Sequence, residues 1–370
     1  MRRRLLSFFL CATAAVVPSA SLGVWIDTDN SAAAVIPGDG VPREIDDALA
    51  LLMLLHSASL DVVGISTTFG NAPTHATANA TRGLLAEHFP NRVVPVYEGS
   101  PVPLKNISDD EPLPAVEAMA AAMRGRSYPL DVVALGALTN IAALVRREPL
   151  LAQRAIRRVV FVGGRRPQQL FTVGEHPETL PDLNFEKDTD AANEVLRHSG
   201  IHVVLCPFEL SAQIRIVPND IHSLATEQRG SGTSAGWAAA VARPWLAHWE
   251  RTFGVEYFHP FDCLAVLFLT HEDALQCEPG AAAIESGPSD PVSTVQDSHT
   301  EGDPSVHGVG VPTKLFLHVR NPGVHAIADE DGRRLGAEVT YCHTPGPAAT
   351  QLILDGIAGV EHADHDRDEL

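Results

Sequence analysis

Residues 24–30, VWIDTDN, and residues 44–55, EIDDALALLMLL, set the architecture of this chain. The first segment reads as a hydrophobic strand that ends in an Asp-x-Asp pair, and the second as an apolar helix opened by two adjacent aspartates. Carboxylates repel one another when they lie close together at the junction between a strand and a helix. A divalent cation or a hydroxyl-rich ligand relieves that repulsion. This junction is therefore the first candidate for a functional site.

The simplest structural explanation of these aspartates is helix capping. An aspartate near the start of a helix accepts hydrogen bonds from exposed N–H groups and interacts favourably with the helix dipole. Capping can account for one or two of Asp27, Asp29, Asp46 and Asp47, and all four exceed its needs. We therefore interpret them as an acidic cluster of the kind that marks metal and catalytic sites.

Hydrophobic runs and helical stretches alternate after this junction. Strands are predicted at 60–66, 93–97, 131–135, 158–162 and 201–205, and helices at 77–88, 140–147 and 189–198. This alternation is typical of βαβ units, so we expect an α/β fold: an open, mostly parallel, Rossmann-like sheet with helices on both faces. Ligands of such sheets bind at the carboxyl ends of the strands, where Asp29, Asn71 and Gly163 fall.

Three segments rich in proline, glycine and polar residues are predicted as loops, at residues 98–129, 164–182 and 287–312. A late strand is expected at residues 313–319, TKLFLHV. The sequence shows no internal repeat.

Composition excludes some classes of partner. The chain of 370 residues is 45% hydrophobic and 20% charged, which is typical of a globular protein with a sizeable core. Its formal net charge of −19 argues against non-specific nucleic-acid binding, which requires basic surface. We expect no nucleic-acid partner.

Residues 1–22 have the layout of a secretory signal: three arginines, a short apolar run and small residues. The run is too short for a stable membrane span, and a buried first helix is the alternative. We expect residues 23–370 to form one domain of a secreted or periplasmic protein. The chain ends in RDEL, which would indicate the ER lumen in a eukaryotic host, although an acidic tail can give this ending by chance.

The cysteines that follow the signal lack CxxC spacing, so no zinc site is predicted: Cys206, Cys263, Cys277 and Cys342. An oxidising compartment would permit a disulfide, but the sequence does not pair them.

With residues 31–43 set aside, the acidic junction reads DTDN-EIDDALALL, which resembles the N-terminal signature of the inosine–uridine-preferring nucleoside hydrolases. Further segments resemble later motifs of that family in the same order: TTFGN at 67–71, LGALTN at 135–140, VGG at 162–164, DLNF at 182–185 and FDCLAV at 261–266. The resemblance covers residues 23 to about 270. It implies hydrolysis of the N-glycosidic bond of a small-molecule nucleoside to ribose and free base, by a homodimer or homotetramer.

The resemblance also implies a Ca²⁺ cofactor. Asp29 would bind the ion and act as general base on the attacking water, and the carboxylates of Asp47 and Asp262 would complete the acidic ligands. Leu135 would contribute its backbone carbonyl, for which an apolar side chain suffices. Calcium prefers several hard oxygen ligands, in keeping with this set.

The remaining expected roles concern the substrate. By resemblance, Asp46 would hold the ribose 2′- and 3′-hydroxyls, and Asp182 would bind the 5′-hydroxyl. Asn71 and Asn184 would contact the ribose or the metal-bound face. Phe261 would stack on the base. Each has a simpler reading: Gly-Asn at 70–71 is a common turn pair, and the segment around Asp182 could be a solvated loop.

The sequence departs from the family pattern in three places. Residues 31–43 interrupt the metal loop, and an insertion whose ends stay close should leave the site intact. Phe261 stands where many members have a histidine that protonates the leaving base, and His259 is a possible substitute. Asp182 replaces a glutamate that is one methylene longer.

Two other functions compete with the nucleoside hydrolase. One is a non-catalytic, calcium-dependent binder of ribose or nucleosides on the same fold, disabled by the insertion. The other is a phosphatase of the haloacid dehalogenase type, because that family also opens with a strand ending in Asp-x-Asp. It would require a later lysine and a second acidic pair, for which the sequence offers no convincing set.

Overall fold

The computed structural model describes residues 21–32, 42–108, 110–167, 169, 171–174, 179–198, 200–226, 234–288, 313–320 and 337–360. Most of the expected signal, the central part of the insertion, most of the predicted loop at 287–312 and the RDEL terminus lie outside these residues.

The described strands form a single sheet of nine: β1 Leu22–Thr28, β2 Leu60–Thr67, β3 Val96–Glu98, β4 Leu130–Ala134, β5 Ile156–Val162, β6 His202–Cys206, β7 Leu275–Pro288, β8 Thr313–Arg320 and β9 Ala337–Pro345. Their order is β3-β2-β1-β4-β5-β6-β9-β7-β8. Neighbours are parallel from β3 to β9, and β7 pairs antiparallel with both β9 and β8. The expected open, mostly parallel sheet is confirmed.

The described helices are α1 Asp46–His56, α2 Thr74–His88, α3 Pro114–Arg124, α4 Thr139–Arg147, α5 Pro149–Ala155, α6 Leu183–Glu186, α7 Thr189–Arg197, α8 Phe208–Ser211, α9 Pro218–Thr226, α10 Ser234–Phe253, α11 Cys263–Thr270 and α12 Ala349–Ala358. A short 3₁₀ turn at Leu104–Asn106 and another at Glu272–Ala274 complete the set.

Helices cover both faces of the sheet, as expected. Along β1, Val24 and Ile26 point into a core shared with α1, α2 and α10–α12, whereas Trp25 points into a second core shared with α3, α4, α5 and α7. Alternate side chains of a strand face opposite sides, so a strand buried on both faces must be apolar throughout.

Helix α1 is a central helix of the first core. Every residue from Asp46 to Leu55 is buried, and the apolar residues surround the helix rather than form one stripe, which is the pattern of a helix enclosed on all sides. It packs against α11 and α12. Because α1 starts at Asp46, its packing draws two carboxylates out of water.

The predicted loop at residues 98–129 is wrong in part, because it contains α3. Pro114 occupies the first turn of this helix, and its buried side chains include Val116, Met119 and Met123, which recur at helical spacing. The proline- and glycine-rich flanks hide this pattern. The strand predicted at 93–97 is confined to Val96–Glu98, and β7, β9 and α10 are elements that the sequence reasoning missed.

Strands β7 and β9 carry a disulfide between Cys277 and Cys342, which are direct partners in the antiparallel register. Cys206 and Cys263 are buried free thiols. Among the described residues, no helix combines the length and apolar character that crossing a membrane requires.

Candidate active site

The carboxyl ends of neighbouring parallel strands surround one cavity. Asn71 follows β2, Leu135 follows β4 and Asp182 lies beyond β5, and all three line the cavity. Asp29 follows β1 and does not line the cavity itself, but its carboxyl group accepts a hydrogen bond from Asn71. The cavity has a volume of about 230 Å³. It contains both a polar end and an aromatic end, so one ligand can meet acidic and apolar groups at once.

Asn71 links the two acidic motifs of the junction. Its backbone N–H donates to Oδ2 of Asp29 at 2.8 Å, and its side-chain amide donates to Oδ2 of Asp47 at 3.2 Å. The hydroxyl of Thr28 donates to the other oxygen of Asp47. The Gly-Asn pair is therefore more than a turn, because it fixes the relative positions of two carboxyl groups.

Two glycines, Gly70 and Gly136, leave room for the carboxyl group of Asp29 next to the backbone. A Cβ atom at Gly70 would lie 1.8 Å from Oδ2 of Asp29, and one at Gly136 would lie 3.0 Å from Oδ1. A side chain at Gly70 would displace the Asp29 carboxyl group, and one at Gly136 would crowd both this group and Thr68, whose Cγ2 atom would lie 2.7 Å away.

Three carboxyl groups lie close together, those of Asp46, Asp47 and Asp262. Each offers one oxygen atom, and these three oxygens all lie within 4.8 Å of one another. Asp262 immediately precedes α11, so the packing of α1 on α11 joins carboxyl groups far apart in sequence. All three are buried. Asp29 is not one of this close set, but it interacts electrostatically with Asp47 and Asp262.

Burial raises the pKa of every carboxyl group in this cluster. It raises the pKa of Asp29 and of Asp46 to about 8, and nearby carboxylates add to the increase. Burial, followed by repulsion from neighbouring acids, holds the pKa values of Asp47 and Asp262 well above the ordinary range. Without a counter-charge, the cluster is at least partly protonated near neutral pH.

These residues suit a hard divalent cation. The donors are all oxygens, and Oδ1 of Asp29 is buried with no hydrogen-bond partner in the part of the chain that the structure describes. A buried acceptor of this kind costs free energy unless it is satisfied, and a bound cation would both satisfy it and neutralise the acidic repulsion. The cluster can therefore hold a metal ion.

Leu135 and Asn184 meet beside the cluster. The side-chain amide of Asn184 donates to the carbonyl oxygen of Leu135 at 2.8 Å and to that of Val162 at 3.0 Å. Both residues line the cavity. The Leu135 carbonyl has a second lone pair that can serve another partner.

Asp182 also lines the cavity. Its Oδ2 accepts a hydrogen bond of 2.8 Å from the backbone N–H of Gly164, and its own N–H donates to Oε1 of Glu186 at 2.9 Å. Burial raises its pKa to about 7. The held carboxyl group points to a specific polar contact rather than to a solvated loop.

Asp27 has a different role from Asp29, although both belong to the Asp-x-Asp pair. Its carboxyl group accepts hydrogen bonds from Ser66 and from the amide of Asn140, the latter at 2.8 Å, and burial raises its pKa to about 7. It ties β1 to β2 and α4.

The insertion leaves the ends of the loop close together. The hydroxyl of Ser31 donates to the carbonyl oxygen of Glu44 at 3.3 Å, which joins the two flanks. Residues 33–41 lie outside the described chain.

Phe261 belongs to the aromatic end of the cavity. Its ring lies 5.6 Å from that of Phe208 and 6.5 Å from that of Trp249 between centroids. The sequence reasoning missed the other aromatic residues that line this end: Phe171, Phe208, Trp245, Trp249 and Phe253, together with His248. Three of them and His248 lie on α10, whose tryptophan-rich pattern WLAHWERTF at 245–253 is the signal that could have identified it.

His259 does not line the cavity. Its side chain is buried, and Nδ1 lies 2.7 Å from the carbonyl oxygen of Ile214. Its ring packs edge-on against Trp249. The ring also packs against Phe208 and Phe261, so these cavity-lining aromatic residues surround His259.

Comparison with known families identifies relatives along most of the chain. The sequence model of the family described as "Inosine-uridine preferring nucleoside hydrolase" matches residues 24–327. A probable uridine nucleosidase 2 of Oryza sativa subsp. japonica is 26% identical over 298 residues, which span 73% of this chain and 80% of that protein. The non-specific ribonucleoside hydrolase RihC of Salmonella paratyphi A is 30% identical over 233 residues, 57% of this chain and 69% of that protein.

Solved structures share the fold. A plant nucleoside hydrolase, the PpNRh1 enzyme, superposes with a TM-score of 0.66 at 19% identity, covering 91% of this chain and 99% of that one. An inosine-uridine preferring nucleoside hydrolase of Bacillus anthracis gives a TM-score of 0.64 at 14% identity, covering 92% and 100%.

Proposed function

Since this chain belongs to the inosine-uridine preferring nucleoside hydrolase family and is a hydrolase of nucleoside N-glycosyl bonds, we propose that it cleaves ribonucleosides with the help of a calcium ion. The family is metal-dependent, and the acidic cluster supplies the oxygens that a metal ion needs. We assign the ion to Asp29, Asp47, Asp262 and the carbonyl oxygen of Leu135. The single observation that carries this proposal is the convergence of buried carboxyl groups at the polar end of a sugar-sized cavity.

Calcium is favoured over softer metals by the donor chemistry. The cluster offers carboxylate and carbonyl oxygens, with no histidine or cysteine sulfur among the assigned ligands, and such ligands suit hard cations. When bound, calcium would orient a water molecule and lower its pKa.

Asp29 is the proposed general base. Its Oδ2 accepts a hydrogen bond from the N–H of Asn71, whereas Oδ1 has no hydrogen-bond partner among the described residues, so we assign Oδ1 to the cation and to the proton of the water molecule that the cation would hold. The water oxygen then forms a bond to C1′ of the ribose while the bond from C1′ to the base nitrogen breaks. The electron pair of that bond leaves with the base.

The sugar would be held by residues around the polar end. Asp46 and Asn71 both line the cavity, and we assign Asp46 the 2′- and 3′-hydroxyls. Asp182 is assigned the 5′-hydroxyl, and Asn71 and Asn184 further ribose contacts. As the bond breaks, the ribose ring gains oxocarbenium character, and the surrounding carboxylates stabilise this positive charge.

The base would occupy the aromatic end. Phe261, Phe208 and Trp249 form a wall on which a flat heterocycle can stack. A purine offers more surface to this wall than a pyrimidine, so we propose a preference for purine nucleosides.

A nucleoside panel tests this function. Purified protein is incubated with inosine, adenosine and uridine, in calcium or in excess chelator, and released base is measured by chromatography. We expect base and ribose in calcium and neither in chelator. Absence of free base with folded protein would contradict catalysis, and calorimetric nucleoside binding without product would identify the non-catalytic binder instead.

We also propose that the protein is exported and forms a homodimer or homotetramer. The basic and apolar character of residues 1–22 supports export, and the Cys277–Cys342 disulfide suits an oxidising compartment. Cell fractionation and light scattering test these two statements.

A further inference from the structure

The base that departs from the aromatic end of the cavity needs a proton. When the bond from C1′ breaks, the base nitrogen receives an electron pair, and an unprotonated purine anion leaves poorly. Phe261 carries no proton to donate, and His259 is enclosed away from the cavity. A proton donor is therefore needed elsewhere around the base.

Among the described residues that line the cavity, His248 is the histidine. It lies on α10, it is half-buried, and it lines the same cavity as Phe261 and Trp249. The acidic residues that line the cavity are Glu44, Asp46, Asp182 and Asp262. Glu44 adjoins the acidic cluster, since its charge raises the pKa values of Asp29 and Asp262.

Neighbours on α10 hold the imidazole in place. The ring of Trp245 stacks on that of His248, with centroids 5.3 Å apart and planes inclined by 22°. Residues three apart on a helix lie on the same side, so this stacking follows from the helix itself. Trp245 also lines the cavity, and it fixes the plane in which the imidazole nitrogens lie.

The electrostatic surroundings make this group a stronger acid. Burial and the positive charge of Arg251, also on α10, lower the pKa of His248 below its ordinary value. A lowered pKa makes the imidazolium a stronger acid but also reduces its population at neutral pH, so the assignment of His248 rests on its position in the cavity.

We propose that His248 is the catalytic general acid, which donates a proton to the departing base. This inference rests on the proposed function. The proton moves from an imidazole nitrogen to the base as the C1′–N bond breaks, and the electron pair of that bond stays on the base. Asp29 removes a proton from the water that bonds to C1′. Asp29 then releases its proton to solvent and His248 regains one from solvent, so the net reaction is nucleoside plus water to ribose plus base.

Two substrates with different leaving groups test this role. Inosine needs protonation of its base, whereas p-nitrophenyl riboside releases p-nitrophenolate, a stable anion that needs none. In His248→Gln, we expect kcat on inosine to fall about 10²-fold, the range for loss of a general acid. The kcat on p-nitrophenyl riboside should stay within about threefold of the wild type, because the base and sugar contacts remain.

A matched control is His222→Gln, which changes an exposed histidine of α9 outside the cavity. It should leave both rates unchanged. If His248→Gln melts early, His248→Asn provides the second variant, and the ratio of the two rates remains the readout. Equal losses on both substrates, or no loss on either, would overturn the role of His248. Failure of wild-type protein on both substrates would instead contradict the proposed function.

Discussion

The backbone N–H of Asn71 donates to Oδ2 of Asp29 at 2.8 Å, although 42 positions separate the two residues in the chain. The bond joins the ends of β1 and β2, which lie side by side in the sheet. It orients the Asp29 carboxyl group so that Oδ1 has no protein partner among the described residues. The proposed base is thus held by one oxygen and available through the other.

Asp29→Asn should abolish base release while preserving the fold. The amide keeps the shape of the side chain but cannot remove a proton from water, so we expect kcat on inosine to fall by about 10³-fold or more. Without metal, the neutral side chain removes a buried ionisable group, and the melting temperature should be unchanged or higher. Asp190→Asn on the exposed surface of α7 is the control and should retain full activity. A fully active Asp29→Asn enzyme would show that another group is the base.

Calcium binding should strengthen as pH rises from 6 to 8.5. Asp29 and Asp46 have pKa values of about 8 because of burial, so protons compete with the ion at the lower pH. Isothermal titration should therefore give a lower apparent Kd at pH 8.5 and proton release on binding. A pH-independent affinity would contradict the assignment of these carboxylates.

The metal-free protein should show the opposite trend in stability. The folded carboxyl groups hold protons up to about pH 8, whereas in the unfolded chain they release them near the ordinary value of 3.8. Between pH 3.8 and about 8 the folded state binds more protons than the unfolded state. The free energy of unfolding therefore falls as pH rises over this range and levels off above about 8. Melting temperatures in chelator should decrease from pH 5 to pH 8.5, and calcium should restore more stability at the higher pH. A metal-free melting temperature that rises over this range would contradict the buried, protonated cluster.

Asp182→Asn should weaken the contact with the 5′-hydroxyl. Loss of a charged hydrogen bond reduces kcat/KM on inosine by about 10- to 100-fold, since such bonds contribute about 1.5–3 kcal/mol. The variant can still accept the hydrogen bond from Gly164, which limits changes in the loop. With 5′-deoxyinosine the same substitution should have an effect below about threefold, because the lost partner is already missing. Equal losses on both substrates would indicate that Asp182 only supports the loop.

Phe261→Leu should affect purine nucleosides more than uridine. Replacing the ring removes stacking surface, and we expect kcat/KM on inosine to fall about tenfold relative to that on uridine. Phe268→Leu changes a half-buried ring of α11 that contacts Arg158 and does not line the cavity, so it should leave the ratio unchanged. A preserved inosine-to-uridine ratio in Phe261→Leu would place the base elsewhere.

Replacing both Cys277 and Cys342 by serine should destabilise the fold. The two residues are 65 positions apart, and closing a loop of this length stabilises the folded state by about 4 kcal/mol in the chain-entropy description. Denaturant unfolding measures the loss. A reductant should lower the stability of the wild type and leave the double variant unchanged, and a response in the variant would point to a different disulfide.

The parallel sheet and the acidic junction can be predicted from local sequence patterns. Alternating apolar runs predict β1, β2, β4, β5 and β6, because strands buried on both faces must be continuous in hydrophobic residues. Helix α3 is hidden by its proline- and glycine-rich flanks. The exact extent of β3 is also hidden, because pairing with β2, rather than local sequence, fixes where that short strand lies.

Residue type and spacing along the chain are enough to identify the fold class, the carboxylates at the strand ends and the family resemblance, since each depends on neighbours in sequence. Residue type and spacing do not identify which residues these carboxylates contact in the folded structure. The distance of Asp262 from Asp46, the position of His248 in the wall of the cavity and the enclosure of His259 arise from the packing of α10 and α11 against the rest of the chain. Long-range packing controls which buried groups lose water and which face the cavity, and no local pattern contains that information.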